Sequence, residues 1–81
     1  MPVIRVFIDD HCLGCRQSAL LVDHLLKRYP GLDVAMVDVD DAEVVPESLF
    51  ALPTWYVDAR VWKLGNPSWS ELKALIDADA R

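Results

Sequence analysis

The stretch FIDDHCLGCRQSALL, residues 7–21, ends one pattern and begins another. Before it, VIRVFI (3–8) is a short β-branched and aromatic run, the composition of a buried strand. After the polar turn Asp9-Asp10-His11, residues 12–29 take a helical period. Cys15, Ala19, Val22 and Leu26 fall on one stripe with Leu21 and Leu25 beside it, and Arg16, Gln17, Asp23, His24, Lys27 and Arg28 supply the wet side. Asp10 is the expected helix cap. Both cysteines of the chain, Cys12 and Cys15, stand at this strand-to-helix junction, two residues apart.

Working outward, Lys27 and Arg28 complement the helix dipole in the last turn, and Pro30-Gly31 ends the helix. LDVAMVDVD (32–40) reads as a second strand. Two apolar strands joined by such a helix make a βαβ unit, expected parallel with a right-handed crossover. Asp40-x-x-Glu43 is a capping-box pattern, but Pro46 interrupts the segment, so the expectation is a short or broken helix to about residue 50. Residues 54–57 and 61–64 read as strands around the turn Asp58-Ala59-Arg60, which lacks the glycine typical of tight hairpins. In NPSWSELKALIDADA (66–80), Ser68-x-x-Glu71 caps a final helix whose apolar stripe is Leu72, Leu75 and Ile76. The order is β-α-β-α-β-β-α: one α/β domain over residues 1–81, a four-stranded mixed sheet with helices on both faces.

The 81 residues are 53% hydrophobic, enough for one compact core and against disorder. The net charge of −5 repels phosphate backbones and anionic lipid, so neither nucleic acid nor a membrane is an expected partner. No apolar run approaches the ~18 residues of a membrane-spanning helix. The opening MPVIRVFIDD lacks the basic and long apolar regions of a secretory signal. A cytoplasmic setting is therefore expected, where a close cysteine pair is more often catalytic or metal-binding than structural.

Three readings compete for that pair. A disulfide that merely staples the fold would stabilise weakly, because so short a loop has little entropy to lose. A closed metal site needs about four ligands, and beside two cysteines there are only His11, adjacent, and His24, about three helical turns away. A metal site shared between two chains stays open. A redox pair fits best. Residues three apart on a helix lie roughly 5–6 Å apart at Cβ, close to the ~3.8 Å of a disulfide, and a helix N-terminus favours thiolate on Cys12. Cys15, along the apolar stripe, is expected to be the more buried. Around Cys12, Asp9 and Asp10 oppose a thiolate while Arg16 and a protonated His11 favour it.

A C-x-x-C at a strand-to-helix junction, followed by VDVDD (37–41), LPTWYV (52–57), a hairpin and a last helix, resembles the thioredoxin superfamily. The likeness runs from residue 3 to residue 80 and is to a minimal, glutaredoxin-sized member with a Cys-Leu-Gly-Cys motif. The resemblance implies a thiol–disulfide oxidoreductase without a cofactor, in which Cys12 attacks and Cys15 resolves. It implies that Pro53 is the family's cis-proline beside the cysteines and that Leu52 offers its backbone to an extended substrate chain. Thr54 and His11 complete the expected substrate-binding set. The expected partners are a disulfide-containing protein substrate and an upstream reductase, the chain itself being a monomer.

The departures narrow the expectation. Val6 occupies the place of the buried acid that helps thioredoxins move protons. Asp9-Asp10, Leu52-Pro53 and Gly65-Asn66-Pro67 replace most of the glutathione clamp of glutaredoxins, which favours a protein disulfide over glutathione as substrate. The rival readings are a thioredoxin-fold binding module whose pair ligates a metal or iron–sulfur cluster across a dimer, and a redox-inert interaction domain. Trp55, Tyr56 and Trp62 are expected in the core, Trp69 across a helix end and His24 in solvent. Asp38, Asp40 and Asp41 lack the glycine and distal glutamate of a calcium loop and read as a strand end plus helix cap.

Overall fold

The computed structural model describes residues 2–43, 45–49 and 51–79. Its elements are β1 (Val3–Ile8), α1 (Cys15–Arg28), β2 (Asp33–Asp38), β3 (Thr54–Val57), β4 (Arg60–Leu64) and α2 (Trp69–Asp79). The strands form one mixed sheet in the order β2-β1-β3-β4. β1 runs parallel to β2, with Val3 opposite Asp33 and Ile8 opposite Asp38. β3 is antiparallel to both β1 and β4. The parallel pairing of β1 with β2 and the closing hairpin therefore meet the expectation, except that Arg60, expected in the turn, opens β4 opposite Val57.

Strand alternation decides which face carries the core. Ile4 and Val6 of β1, with Trp55 of β3, pack with Leu21, Val22 and Leu25 of α1 and with Leu72 and Ile76 of α2 in one cluster; Val34 and Met36 of β2 lie against it. Both helices thus cover the same face of the sheet. The opposite face carries Phe7 and Tyr56, whose rings meet edge to face at 5.1 Å. It is the loop after β2 that reaches this face, where Ser48 Oγ and Tyr56 Oη lie 2.7 Å apart.

This corrects the expectation of helices on both faces. The segment expected to form a second helix consists, among the described residues, of turns; its expected end, Phe50, lies outside them, as does Ala80 at the close of the last amphipathic segment. Asp38 takes the amides that Asp40 was expected to organise. Its backbone carbonyl accepts the Asp41 and Ala42 N–H groups, and its carboxylate accepts Asp40 N–H at 2.9 Å. Pro46, which cannot donate inside a helix, starts a turn closed by Leu49 N–H on its carbonyl.

The α1 stripe is rotated from the expected one. Cys15, Ser18, Leu21, Val22 and Leu25 are buried, whereas Ala19 and Leu26 are exposed. Ser18 tolerates complete burial because its hydroxyl lies within hydrogen-bond distance of Gly14 O and Asn66 Oδ1. The expected Ser68–Glu71 capping box is present in both directions: Glu71 N–H donates to Ser68 Oγ (3.1 Å) and Ser68 N–H to Glu71 Oε1 (3.0 Å). The Lys63 ammonium adds a 2.6 Å hydrogen bond that, with the Ser68 amide, holds the Glu71 carboxyl below its ordinary pKa.

The hairpin turns at Asp58 (φ 50°) and Ala59 (φ 68°), the two positive values of a type I′ turn. No glycine relieves them. The compensation is tertiary: Asp58 N–H donates to Val3 O, and Asp58 Oδ1 accepts Val3 N–H at 2.9 Å.

Candidate active site

The chain leaves β1 through a polar turn in which Asp9 Oδ1 accepts His11 N–H at 2.8 Å. A second turn comes next, closed by Cys15 N–H on Cys12 O at 3.3 Å. Helix α1 begins only at Cys15, with Gly14 in the N-cap position and no side chain capping it. Two expectations are corrected here. Asp10 is not the cap, and Cys12 lies in the turn ahead of the helix, not in its first turn. Cys12 still faces the end of α1 where first-turn N–H groups lack helical partners and the dipole is positive.

Cys12 and Cys15 form a disulfide, with Cα atoms 5.3 Å apart. Cys12 is half-buried and Cys15 buried, the asymmetry expected of them, and Leu13 between them is fully exposed. The outer sulfur is therefore on the residue that solvent and a partner reach more easily.

Two contacts hold this turn from below. The Leu52–Pro53 peptide is cis, and the Pro53 ring lies against Gly14. A Cβ on Gly14 would sit 3.1 Å from Pro53 Cδ and 3.3 Å from Asn66 Nδ2. Gly14 has an ordinary right-handed conformation (φ −90°, ψ −5°), so close approach, not backbone freedom, is what disfavours a side chain here. The second contact is Asn66, in the loop between β4 and α2. Its Nδ2 donates to Gly14 O at 2.8 Å. Its Oδ1 lies 2.5 Å from Ser18 Oγ and accepts Trp55 Nε1–H at 3.2 Å. Only this orientation of the amide satisfies both donors and the carbonyl. The sequence named Asn66 only within Gly65-Asn66-Pro67, as a departure from a glutathione clamp, and gave it no structural role; its partners lie 52, 48 and 11 positions away.

The remaining predicted site residues divide. Leu52 is half-buried and lines a groove with Val39, Val45, Leu49 and Ala51. His11 is exposed beside Cys12. Thr54 is buried, and its hydroxyl donates back to Ala51 O at 2.6 Å, so it shapes the loop ahead of Pro53 and offers no free hydroxyl. Val6 is fully buried opposite Trp55. The buried polar side chains among the described residues are Ser18 and Thr54, both uncharged.

His24 is exposed, as expected, but it also stacks on Trp69 with ring centroids 4.0 Å apart, tying α1 to the start of α2. Trp55 and Tyr56 are buried and Trp62 partly so, again as expected.

No family model matches the chain, and no curated protein matches it. Among solved structures it is similar to the oxidised thioredoxin from Plasmodium falciparum, at 29% identity and a TM-score of 0.70, over 99% of this chain and 82% of that one. The architecture is thus a thioredoxin-like α/β fold carrying a C-x-x-C disulfide, which at family level supports thiol–disulfide oxidoreductase chemistry.

Proposed function

We propose that the protein exchanges dithiol for disulfide with a protein substrate, in the reducing direction. The observation that carries this reading is the Cys12–Cys15 disulfide at the N-terminal end of α1, with Cys12 half-buried, Cys15 buried and the Pro53 ring against Gly14 between them. In the reduced protein, Cys12 as thiolate attacks one sulfur of a substrate disulfide. The S–S bond of the substrate breaks, its departing thiolate takes a proton, and Cys12 is left in a mixed disulfide. Cys15 then gives up its proton and attacks Cys12 Sγ, releasing the second substrate thiol. Two electrons have passed to the substrate and the Cys12–Cys15 bond has formed. An upstream dithiol donor reverses this bond by the same two steps.

With no carboxyl buried under the pair among the described residues, the Cys15 proton leaves to solvent or to His11. We place the reaction in the cytoplasm, with the chain acting as a monomer and without a bound cofactor.

Reduction of insulin disulfides with dithiothreitol as electron donor tests the reading. Cys12→Ser should abolish turnover, and Cys15→Ser should accumulate a mixed disulfide that dithiothreitol releases. Wild-type turnover no faster than dithiothreitol alone would overturn the reading. Stoichiometric zinc or visible cluster absorbance lost in both variants would replace it with the dimeric metal-site alternative.

A further inference from the structure

β1 and β2 are parallel, so their C-terminal ends emerge side by side, and Val39 N–H continues the ladder onto Ile8 O. Asp9 and Asp10 come after one strand; Asp38 ends the other, with Asp40 and Asp41 just beyond it. This is also the end of the sheet at which Cys12 stands. Residues 9–16 and 38–53 together hold Asp9, Asp10, Asp38, Asp40, Asp41, Glu43 and Glu47, seven of the chain's 13 acidic residues, against one of its 8 lysines and arginines, Arg16 in the first turn of α1. The ion pairs among the described residues, Arg5–Asp33, Lys27–Asp23 and Lys63–Glu71, involve none of the seven.

The groove lined by Val39, Val45, Leu49, Ala51 and Leu52 is built from the same 38–53 segment. Val39 stands between Asp38 and Asp40 at the end of β2, and Leu52 precedes Pro53, whose ring lies against Gly14 inside the C-x-x-C turn. Residues flanking a substrate cysteine at Cys12 would therefore meet apolar lining and carboxylates carried on one segment. Apolar side chains gain by leaving water there, and cationic ones by Coulomb attraction, which also raises the encounter rate.

Resting on the exchange reaction proposed above, we infer that the groove is a specificity site for polypeptide segments that carry lysine or arginine, with an apolar residue, beside the disulfide to be reduced. The electrons and protons move as in that exchange; the groove selects which disulfide reaches Cys12.

The test uses the full-length, pre-reduced protein in stopped-flow with synthetic disulfide-linked peptides that differ only in flanking residues: two lysines, two glutamates, or two serines, each with leucine or serine next to the cysteine. At about 10 mM ionic strength the lysine peptide should react at least about tenfold faster than the glutamate peptide, with serine between them. At 0.5 M salt, where the screening length falls to roughly 4 Å, the ratio should shrink to about twofold. Leucine should accelerate every charge class. Asp40→Asn with Asp41→Asn should lower the lysine-to-glutamate ratio, a quantity from which intrinsic thiol reactivity cancels. Equal lysine and glutamate rates at low salt, or a ratio unmoved by the double variant, would overturn the inference while leaving exchange itself standing. Reaction with no peptide of any charge would remove both.

Discussion

Replacing Asn66 with Ala tests how the turn bearing the cysteines is held. Three hydrogen bonds end on this side chain, and at about 1 kcal/mol each their simple sum is about 3 kcal/mol. The partners do not suffer equally. Gly14 O still accepts Ser18 N–H at 3.1 Å, and the Ser18 hydroxyl, 3.2 Å from the same carbonyl, can turn to it. Trp55 Nε1 has no such recourse on a residue with no exposed surface, and an orphaned buried donor costs about 1–3 kcal/mol. The expected loss is therefore about 2–3 kcal/mol, most of it at Trp55. For a domain of this size it corresponds to a fall in Tm of roughly 10–20 °C. Urea unfolding of the oxidised protein, followed by circular dichroism, measures the loss directly. Trp55→Phe removes the orphaned donor, so in that background Asn66→Ala should cost about 1–2 kcal/mol less. A loss below about 0.5 kcal/mol, or full additivity of the two substitutions, would refute the assignment of Asn66 as the anchor of this turn.

Other outcomes rest on the same contacts. Ala59 holds, at a cost, a left-handed conformation that glycine adopts freely, so Ala59→Gly should stabilise the protein by about 0.5–1 kcal/mol in the same unfolding assay. Gly14→Ala should instead destabilise by about 1–2 kcal/mol and slow insulin reduction, because the new methyl meets the Pro53 ring; Gly31→Ala, with nothing within 4 Å, serves as the control and should be neutral or slightly stabilising. The Glu71 carboxyl titrates below its ordinary pKa, so its contribution is present above that ordinary value and fades as pH falls through the lower, folded one. Lys63→Met should accordingly flatten the acid limb of a Tm-against-pH profile below about pH 5, by a small amount since both side chains are partly exposed.

The parts of the fold that were legible in the sequence are those decided within a few residues. β1 and β3 alternate or run apolar over their own length, and the capping box of α2 closes between positions three apart. The same four-residue pattern at Asp40 and Glu43 misled, because a cap organises a helix only where a helical stripe comes after it, and here Pro46 does. Asp38, two residues earlier, collects the free amides instead. The hairpin was readable from its strands but not from its turn, since what tolerates positive φ at Asp58 is a pair of hydrogen bonds to Val3, 55 positions away. Burial of Ser18 in place of Ala19 likewise depends on Asn66, 48 positions beyond it, which no local period encodes. At the site, the cysteine pair was legible from residue type and spacing and Pro53 only through the family resemblance, whereas neither the Thr54 hydroxyl's turn back onto Ala51 O nor the hold of Asn66 on Gly14 has a local signature.

The anchors also bear on why the disulfide sits where it does. Closing a loop of four residues constrains the unfolded chain by only about 2 kcal/mol in the chain-entropy treatment, near the low end for natural disulfides. The turn it closes is already held by three contacts that do not involve sulfur: Cys15 N–H on Cys12 O, Asn66 Nδ2 on Gly14 O, and Gly14 against the Pro53 ring. A staple adds most where the chain is otherwise free to part, and this segment is not. In the exchange proposed above, opening the bond would leave two thiols whose backbones these contacts keep near their bonded separation. The second thiol would then attack as an intramolecular neighbour at high effective concentration, with little ordering left to do. Placement that makes the bond nearly redundant for stability is what would let it open and close in that exchange without unfolding the site around it.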